Sequence, residues 1–341
     1  LFMQIRIHSQ FVKKMEMTMT NPTRRTALVL GATGGIGGAV ARKLLERGWR
    51  IRALSRNAGK ATQGESNFEW AQGDAMSAGD VLKAAQGADL IVHAVNPPGY
   101  RDWEKLVLPM LDNTIAAARA AGARILLPGT VYNFGPDVLP VVSEDSPQHP
   151  VTKKGAIRVE MERRLKSASQ AGTGIIIVRA GDYFGPGATG NSWFSQIVTP
   201  GKPVTAVKNP AMRGIGHHWA FLPDVAETMA ELVERADRLP SFAVYHMEGV
   251  WDGDGTQMVN SVERVVGGKL KVGAFPWWIV PLAAPFVPLM REIKEMRYLW
   301  REPLRMKNDR LVAELGKEPH TPIDTAVRTT LISFGCLPEK A

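Results

Sequence analysis

A single cysteine, Cys336, stands among 341 residues, so no internal disulfide can form and a cysteine-ligated metal centre is disfavoured. The reducing cytoplasm is the expected location. Also missing is an uninterrupted apolar run of membrane-spanning length. The uncharged stretch Val272 to Met290 approaches that length, but Pro276, Pro281, Pro285 and Pro288 would each interrupt a spanning helix. No transmembrane segment is expected. This stretch, with Trp277, Trp278 and Ile279, is expected to be buried or to face substrate, with peripheral membrane contact as the alternative. Residues 1–25 lack the apolar core of a signal peptide and read as a tail outside the fold, with Met15, Met17 and Met19 each an alternative start. Most of the formal charge of +9 comes from two places: residues 1–25, and residues 291–310 with seven basic against four acidic side chains. A nearly neutral remainder excludes a broad nucleic-acid face. His217 and His218 are adjacent, point in different directions and have no carboxylate cluster nearby, so no metal site is expected.

What is present begins with Leu28-Val29-Leu30-Gly31-Ala32-Thr33-Gly34-Gly35-Ile36-Gly37, a short apolar strand running into three glycines spaced G-x-x-G-x-x-G. Gly31 allows a sharp turn off the strand, Gly34 a close backbone approach to a pyrophosphate, and Gly37 close packing of the following helix. That helix is expected to start at Gly35 or Ile36 and to end with Gly48 as its C-cap. Its free N-terminal N–H groups and dipole then face an anion, with Thr33, Gly35 and Ile36 completing the loop.

Further apolar runs alternate with helical stretches. Strands are expected at Ile51–Leu54, Phe68–Ala71, Leu90–Ala94, Ile125–Leu127, Ile175–Arg179 and Ala243–Met247, and helices at Asp80–Ala85, Trp103–Ala121 and Arg158–Ala168. This alternation predicts an α/β fold: a doubly wound, mostly parallel Rossmann-type sheet with a smaller C-terminal substrate lobe. The nucleotide-binding domain is placed at 26–182. The lobe is placed mainly at 183–335, with some segments returning to the first domain.

The second strand is followed by Ser55-Arg56-Asn57, without the acid that binds the ribose hydroxyls of NAD. Arg56 offers a charged fork to a 2′-phosphate and Ser55 a hydroxyl, so NADP is the expected cofactor, with NAD the alternative. Asp74 and Ala75, after the third strand, are placed at the adenine, although an Asp starting a turn explains Asp74 equally. Ala94 and Val95, after the fourth strand, are expected to pass beside the cofactor, with His93 just before them.

These landmarks resemble the extended short-chain dehydrogenase/reductases, the group that includes NAD(P)-dependent sugar epimerases and dehydratases. The likeness spans roughly residues 26–335. It rests on the glycine loop, Asn113, Gly129-Thr130-Val131-Tyr132 with Gly135, Arg179-Ala180-Gly181-Asp182-Tyr183-Phe184-Gly185-Pro186, and Phe221-Leu222-Pro223-Asp224-Val225-Ala226. Asp224 with Glu227 also reads as a capping box. The resemblance implies a serine or threonine, a tyrosine and a lysine in catalysis, the last two spaced YxxxK. Pro150 to Glu162 contains no tyrosine. Setting the family's helix glutamate on Glu162 puts Lys154 at the tyrosine position and Arg158 at the lysine position; setting the lysine on Lys154 puts Pro150 opposite the tyrosine.

The candidates for proton chemistry are therefore Thr130, Tyr132, Lys154 and Tyr183. Buried tyrosines with satisfied hydroxyls, and an exposed lysine at a helix start, are the structural alternatives. Arg297 or Arg301 would bind an anionic substrate if turned inward. The expected activity is an NAD(P)-dependent oxidoreductase acting on a carbonyl or secondary alcohol of a small organic substrate. Epimerisation or dehydration of a nucleotide sugar and a non-catalytic NADP-binding redox sensor are the rivals. The resemblance further implies a homodimer.

Overall fold

The computed structural model describes residues 24–97, 102–188 and 192–339. The expected tail therefore lies outside the described residues, apart from Arg24 and Arg25. Seven strands form the central sheet: β1 Thr26–Leu30, β2 Arg50–Ser55, β3 Glu69–Gln72, β4 Leu90–His93, β5 Arg124–Thr130, β6 Ile175–Ala180 and β7 Phe242–His246. Their order is β7-β6-β5-β4-β1-β2-β3, and every neighbouring pair is parallel. Each expected strand is present within a residue or two of its predicted ends, except β5, which extends three residues further to Thr130.

All residues of β1 and β6 are buried. Apolar side chains on both faces of one strand require a helical layer on each side, and the crossovers supply it. On one face Val40, Ala41 and Leu44 of the helix Gly35–Glu46 meet Val225, Met229 and Leu232 of the helix Leu222–Glu234. On the other, Val107 and Leu111 of the helix Trp103–Ala121 pack with Ile157, Met161 and Leu165 of the helix Lys153–Gln170. The first helix ends at Glu46 with Arg47 as cap. Gly48 follows one position later than expected, and the turn is closed by Gly48 N–H to Leu45 O and Trp49 N–H to Leu44 O.

A third core, rich in aromatics, lies outside the sheet and includes Phe184, Phe194, Trp219, Phe275, Trp300 and Phe334. It is organised by the strand His217–Phe221, which pairs parallel with Asp182–Phe184 and antiparallel with Val250–Asp252. One expectation fails here and another holds only in part. Asp224 is not an N-cap: the cap is Phe221, Pro223 lies in the first turn, and the Asp224 carboxylate accepts from Thr321 N–H and Oγ1. Glu227 instead pairs with Arg47 and Lys43. Val272–Met290 is buried only in part: Phe275, Val280 and Ala284 turn inward and Trp277 and Met290 pack against the aromatic core, but Trp278 is 71% and Phe286 85% exposed. Its prolines divide it into short helices, Ile279–Ala283 and Pro288–Glu295, each too short to bury a full apolar face.

The helix Lys153–Gln170 is tied to the sheet by an ion pair. Arg179 of β6 donates through Nε to Glu162 Oε1 at 3.0 Å and through Nη2 to Oε2 at 2.6 Å. Asn133 and Gln148 add donors to the same carboxylate, and His246 of β7 meets Arg179 Nη1 at 2.8 Å. Burial, together with the adjacent Arg179, holds His246 well below the usual histidine range, so its Nε2 accepts. Removing one partner would strand the other charge in the interior. Glu162→Ala is expected to lower the unfolding free energy by about 3–5 kcal/mol, measured by urea titration.

Candidate active site at the carboxyl edge of the sheet

The strand register brings the loops to one edge. Leu30 is opposite both Leu54 of β2 and His93 of β4, so Gly31, Ser55 and Ala94 come to the same edge of the sheet. Ser55 is opposite Gln72, which puts Asp74 just beyond the same edge. Crossovers depart in opposite directions between β1 and β4, the switch point where open parallel sheets bind ligands.

At Gly31, with φ of +92°, a Cβ would lie 2.5 Å from the Ala94 carbonyl oxygen. A Cβ on Gly37 would lie 2.3 Å from the Gly31 carbonyl oxygen. The strand, the turn and the helix are thus in direct backbone contact. Gly34 is the helix N-cap, makes no side-chain capping bond, and is exposed beside Thr33. The first N–H groups of a twelve-residue helix therefore face open space, as a pyrophosphate requires. Gly35 and Ile36 are half-buried; Gly187 comes over Gly35 from the far side of the sheet edge, where a Cβ would sit 2.9 Å from its carbonyl. These residues fit a dinucleotide.

Arg56 is exposed past the end of β2, and no described residue engages its guanidinium; Ser55 Oγ accepts from Asn57 N–H at 3.2 Å. Asp74 starts a turn, with Oδ1 accepting from Met76 N–H at 2.9 Å. Ala75 offers its carbonyl to Asn113 Nδ2 at 2.9 Å, which ties this loop to the helix Trp103–Ala121. Ala94 N–H bonds Leu30 O at 2.9 Å and, with Val95, continues from β4 past Gly31.

The four proton-transfer candidates separate. Thr130 ends β5, and its Oγ1 accepts from Tyr132 N–H. Tyr132 turns its hydroxyl to Asp182 Oδ1 at 3.3 Å, and Asp182 Oδ2 meets His217 Nε2 at 2.9 Å. Tyr183 donates to the Gly129 carbonyl at 3.3 Å, and burial pushes its phenol well above the ordinary tyrosine range. Lys154 is not exposed at the helix start: it is 4% exposed, whereas its neighbour Lys153 points outward to Glu104. Lys154 faces Glu295, whose carboxylate takes its backbone N–H at 2.9 Å and lies 3.8 Å from its Nζ.

Lys154, Arg158 and Glu162 are spaced four apart, so they share one helix face, and all three are buried. Arg158 reaches the Pro128 carbonyl at 3.4 Å and lies over the Trp103 ring at 5.3 Å. Burial and then the Arg158 charge hold His93 down to about 3, so the imidazole is neutral; its Nδ1 meets Thr114 Oγ1 at 2.8 Å. Glu295, Asp182 and His217 escaped the sequence reading as site neighbours. Glu295 is separated from Lys154 by 141 positions, and no local pattern reports such a contact. Arg297 lies over the Trp277 ring at 5.4 Å and Arg301 is exposed.

Residues 31–180 match the family of NAD(P)H-binding domains. A 3-diazoavenalumate denitrifying reductase from Streptomyces is 30% identical over 178 residues, which are 47% of this chain and 57% of that protein. The chain thus spans little more than half of that curated relative. Among solved structures, UDP-glucuronic acid 4-epimerase from Bacillus cereus, in complex with NAD, is 14% identical with a TM-score of 0.71 over 91% of this chain and 98% of the other. A double mutant of dTDP-glucose 4,6-dehydratase from Streptomyces venezuelae, with NAD bound, is 16% identical with a TM-score of 0.70 over 91% and 96%.

The sheet is of the Rossmann class, and residues 31–180 within it are those that match an NAD(P)H-binding domain. The fold over nearly the whole chain is the one seen in those epimerase and dehydratase structures. Among the described residues no helix is long and apolar enough to cross a membrane. Because a methyl at residue 37 would collide with the backbone of the phosphate turn, Gly37→Ala is expected to weaken cofactor binding by about tenfold or more in calorimetric titration, about 1.4 kcal/mol.

Proposed function

We propose that this protein is a reductase that uses NADPH to convert a carbonyl of a small organic substrate into a secondary alcohol, with Lys154 as the proton donor. The observation that carries the reading is the buried row Lys154–Arg158–Glu162, which sets an ammonium where the family resemblance puts the tyrosine and a guanidinium where it puts the lysine. The glycine loop would hold the pyrophosphate, Arg56 the 2′-phosphate and Arg158 the nicotinamide ribose. A bound reduced nicotinamide supplies the hydride.

Lys154 does the rest of the chemistry. Its ammonium attracts the negative charge that develops on the carbonyl oxygen and donates a proton to it, so that a C–H and an O–H bond replace the C=O π bond. The neutral amine regains its proton from solvent past Glu295, whose side chain is 23% exposed. Thr130, half-buried at the end of β5, is the hydroxyl that orients the substrate oxygen. His93, kept neutral, adds no competing cation to the site. Tyr132 and Tyr183 serve the scaffold, with their hydroxyls on Asp182 and Gly129.

This reading is supported over epimerisation or dehydration by the charge at residue 154. Those reactions begin by removing a hydroxyl proton, which an ammonium cannot accept. Net NADPH consumption distinguishes a reductase from an enzyme that regenerates its cofactor within one turnover. The acid built into the site likewise favours turnover over a regulatory role.

Lys154→Met is expected to lower kcat by about 10²–10⁴-fold while the NADPH dissociation constant stays within about twofold. Retained turnover would remove Lys154 from the chemistry. Arg56→Ala is expected to weaken NADPH binding by about tenfold and leave NADH binding nearly unchanged, because only the former carries the phosphate. Equal losses for both cofactors in fluorescence titration would remove the assignment of Arg56.

A further inference from the structure

Eleven large hydrophobic side chains are exposed among the described residues, and six of them fall within sixteen positions: Val272, Trp278, Ile279, Leu282, Phe286 and Val287. The local geometry explains the clustering. Val280 and Ala284 are four apart and buried, so the opposite side of the same turns turns outward, carrying Trp278, Leu282 and Phe286 at 71%, 65% and 85% exposure. Ordinary surfaces scatter such residues singly; a contiguous group marks a binding face.

The segments that build this face are poor in acidic residues. The chain holds 33 acidic residues, yet residues 183–223 and 264–291 contain none. These two acid-free stretches meet in space: the strand Lys271–Ala274 pairs with Ala206–Asn209, which places Gly273 beside Lys208. Lys202, Lys208, Lys269, Lys271, Arg291 and Lys294 are all exposed here, and none is paired with a carboxylate among the described residues. A cavity of about 500 Å³ opens at the same face, lined by Lys202, Lys208, Phe275, Val280 and Met290, with Ile279 belonging to both cavity wall and exposed patch.

We propose that this face docks on an anionic lipid bilayer, with Trp278, Leu282 and Phe286 entering the interface and the surrounding lysines and arginines meeting lipid headgroups. An aromatic-aliphatic tip within a cationic rim is the chemistry such a surface selects. A second copy of the chain fits poorly, because a two-fold contact through this patch sets the cationic rim against itself. Docked in this way, the cavity mouth opens at the lipid boundary.

The test is co-sedimentation of the full chain with vesicles. Binding is expected to phosphatidylcholine vesicles containing about 30 mol% phosphatidylglycerol, and to fall by about tenfold with pure phosphatidylcholine or in about 0.5 M NaCl. The double variant Trp278→Ala/Phe286→Ala is expected to bind the anionic vesicles at least about tenfold more weakly. Its thermal midpoint and NADPH affinity should match the parent, since both side chains are exposed and neither is among the residues proposed to hold the cofactor. The proposal is overturned if anionic vesicles leave the protein in solution, if the double variant sediments like the parent, or if light scattering shows a dimer that the same variant dissociates.

Discussion

The buried contact between Glu162 and Arg179 is the constraint on which the arrangement of the site depends. A helix lying on a sheet can rotate about its own axis at little cost while its contacts are only apolar. A bidentate, charge-assisted pair in the interior removes that freedom, since any rotation would leave two desolvated charges unmatched. With Glu162 turned to β6, the residues four and eight positions earlier must face the same way. Arg158 thereby comes under the Pro128 carbonyl and Lys154 against Glu295. The position of the proposed acid follows from an ion pair two helical turns away from it.

The second constraint is steric. Gly31, Ala94 and Gly37 are packed backbone to backbone, so the turn off β1, the continuation of β4 and the start of the first helix form one rigid corner. That corner holds the helix N-terminus open at Gly34 without a side chain to cap it. Binding a phosphate there would satisfy donors that the fold itself leaves free. Cofactor site and proposed acid therefore rest on different supports, one a backbone clash and the other a charge pair, and a substitution can damage either alone.

The expectation of burial for Val272–Met290 held only in part, for an instructive reason. Its composition, nineteen uncharged residues with two tryptophans, resembles core sequence. Four prolines deny it the continuous helix that would bury those side chains together, so Phe275, Val280 and Ala284 reach the interior while Trp278, Leu282 and Phe286 do not. Hydrophobicity alone gives no direction; the turns imposed by proline decided which side chains point out. Lys154 shows the opposite error. A lysine at a helix start is ordinarily solvated, but the helix Pro288–Glu295 places Glu295 over it.

Alternating apolar runs and helical periods carried the parallel sheet, its strands and most crossovers, because those patterns report local geometry and burial over a few residues. The glycine spacing likewise carried the phosphate turn, whose steric demands arise within ten positions of chain. The sequence by itself also determined that no tyrosine stands at the expected place in Pro150–Glu162. Which side chains of that segment are buried, and against what, was decided only by tertiary structure. It depended on Glu162 meeting Arg179, on Glu295 covering Lys154, and on Asp182 and Gly129 engaging the two tyrosine hydroxyls. Such contacts join segments up to 141 positions apart, and their geometry exists only after the chain has closed on itself.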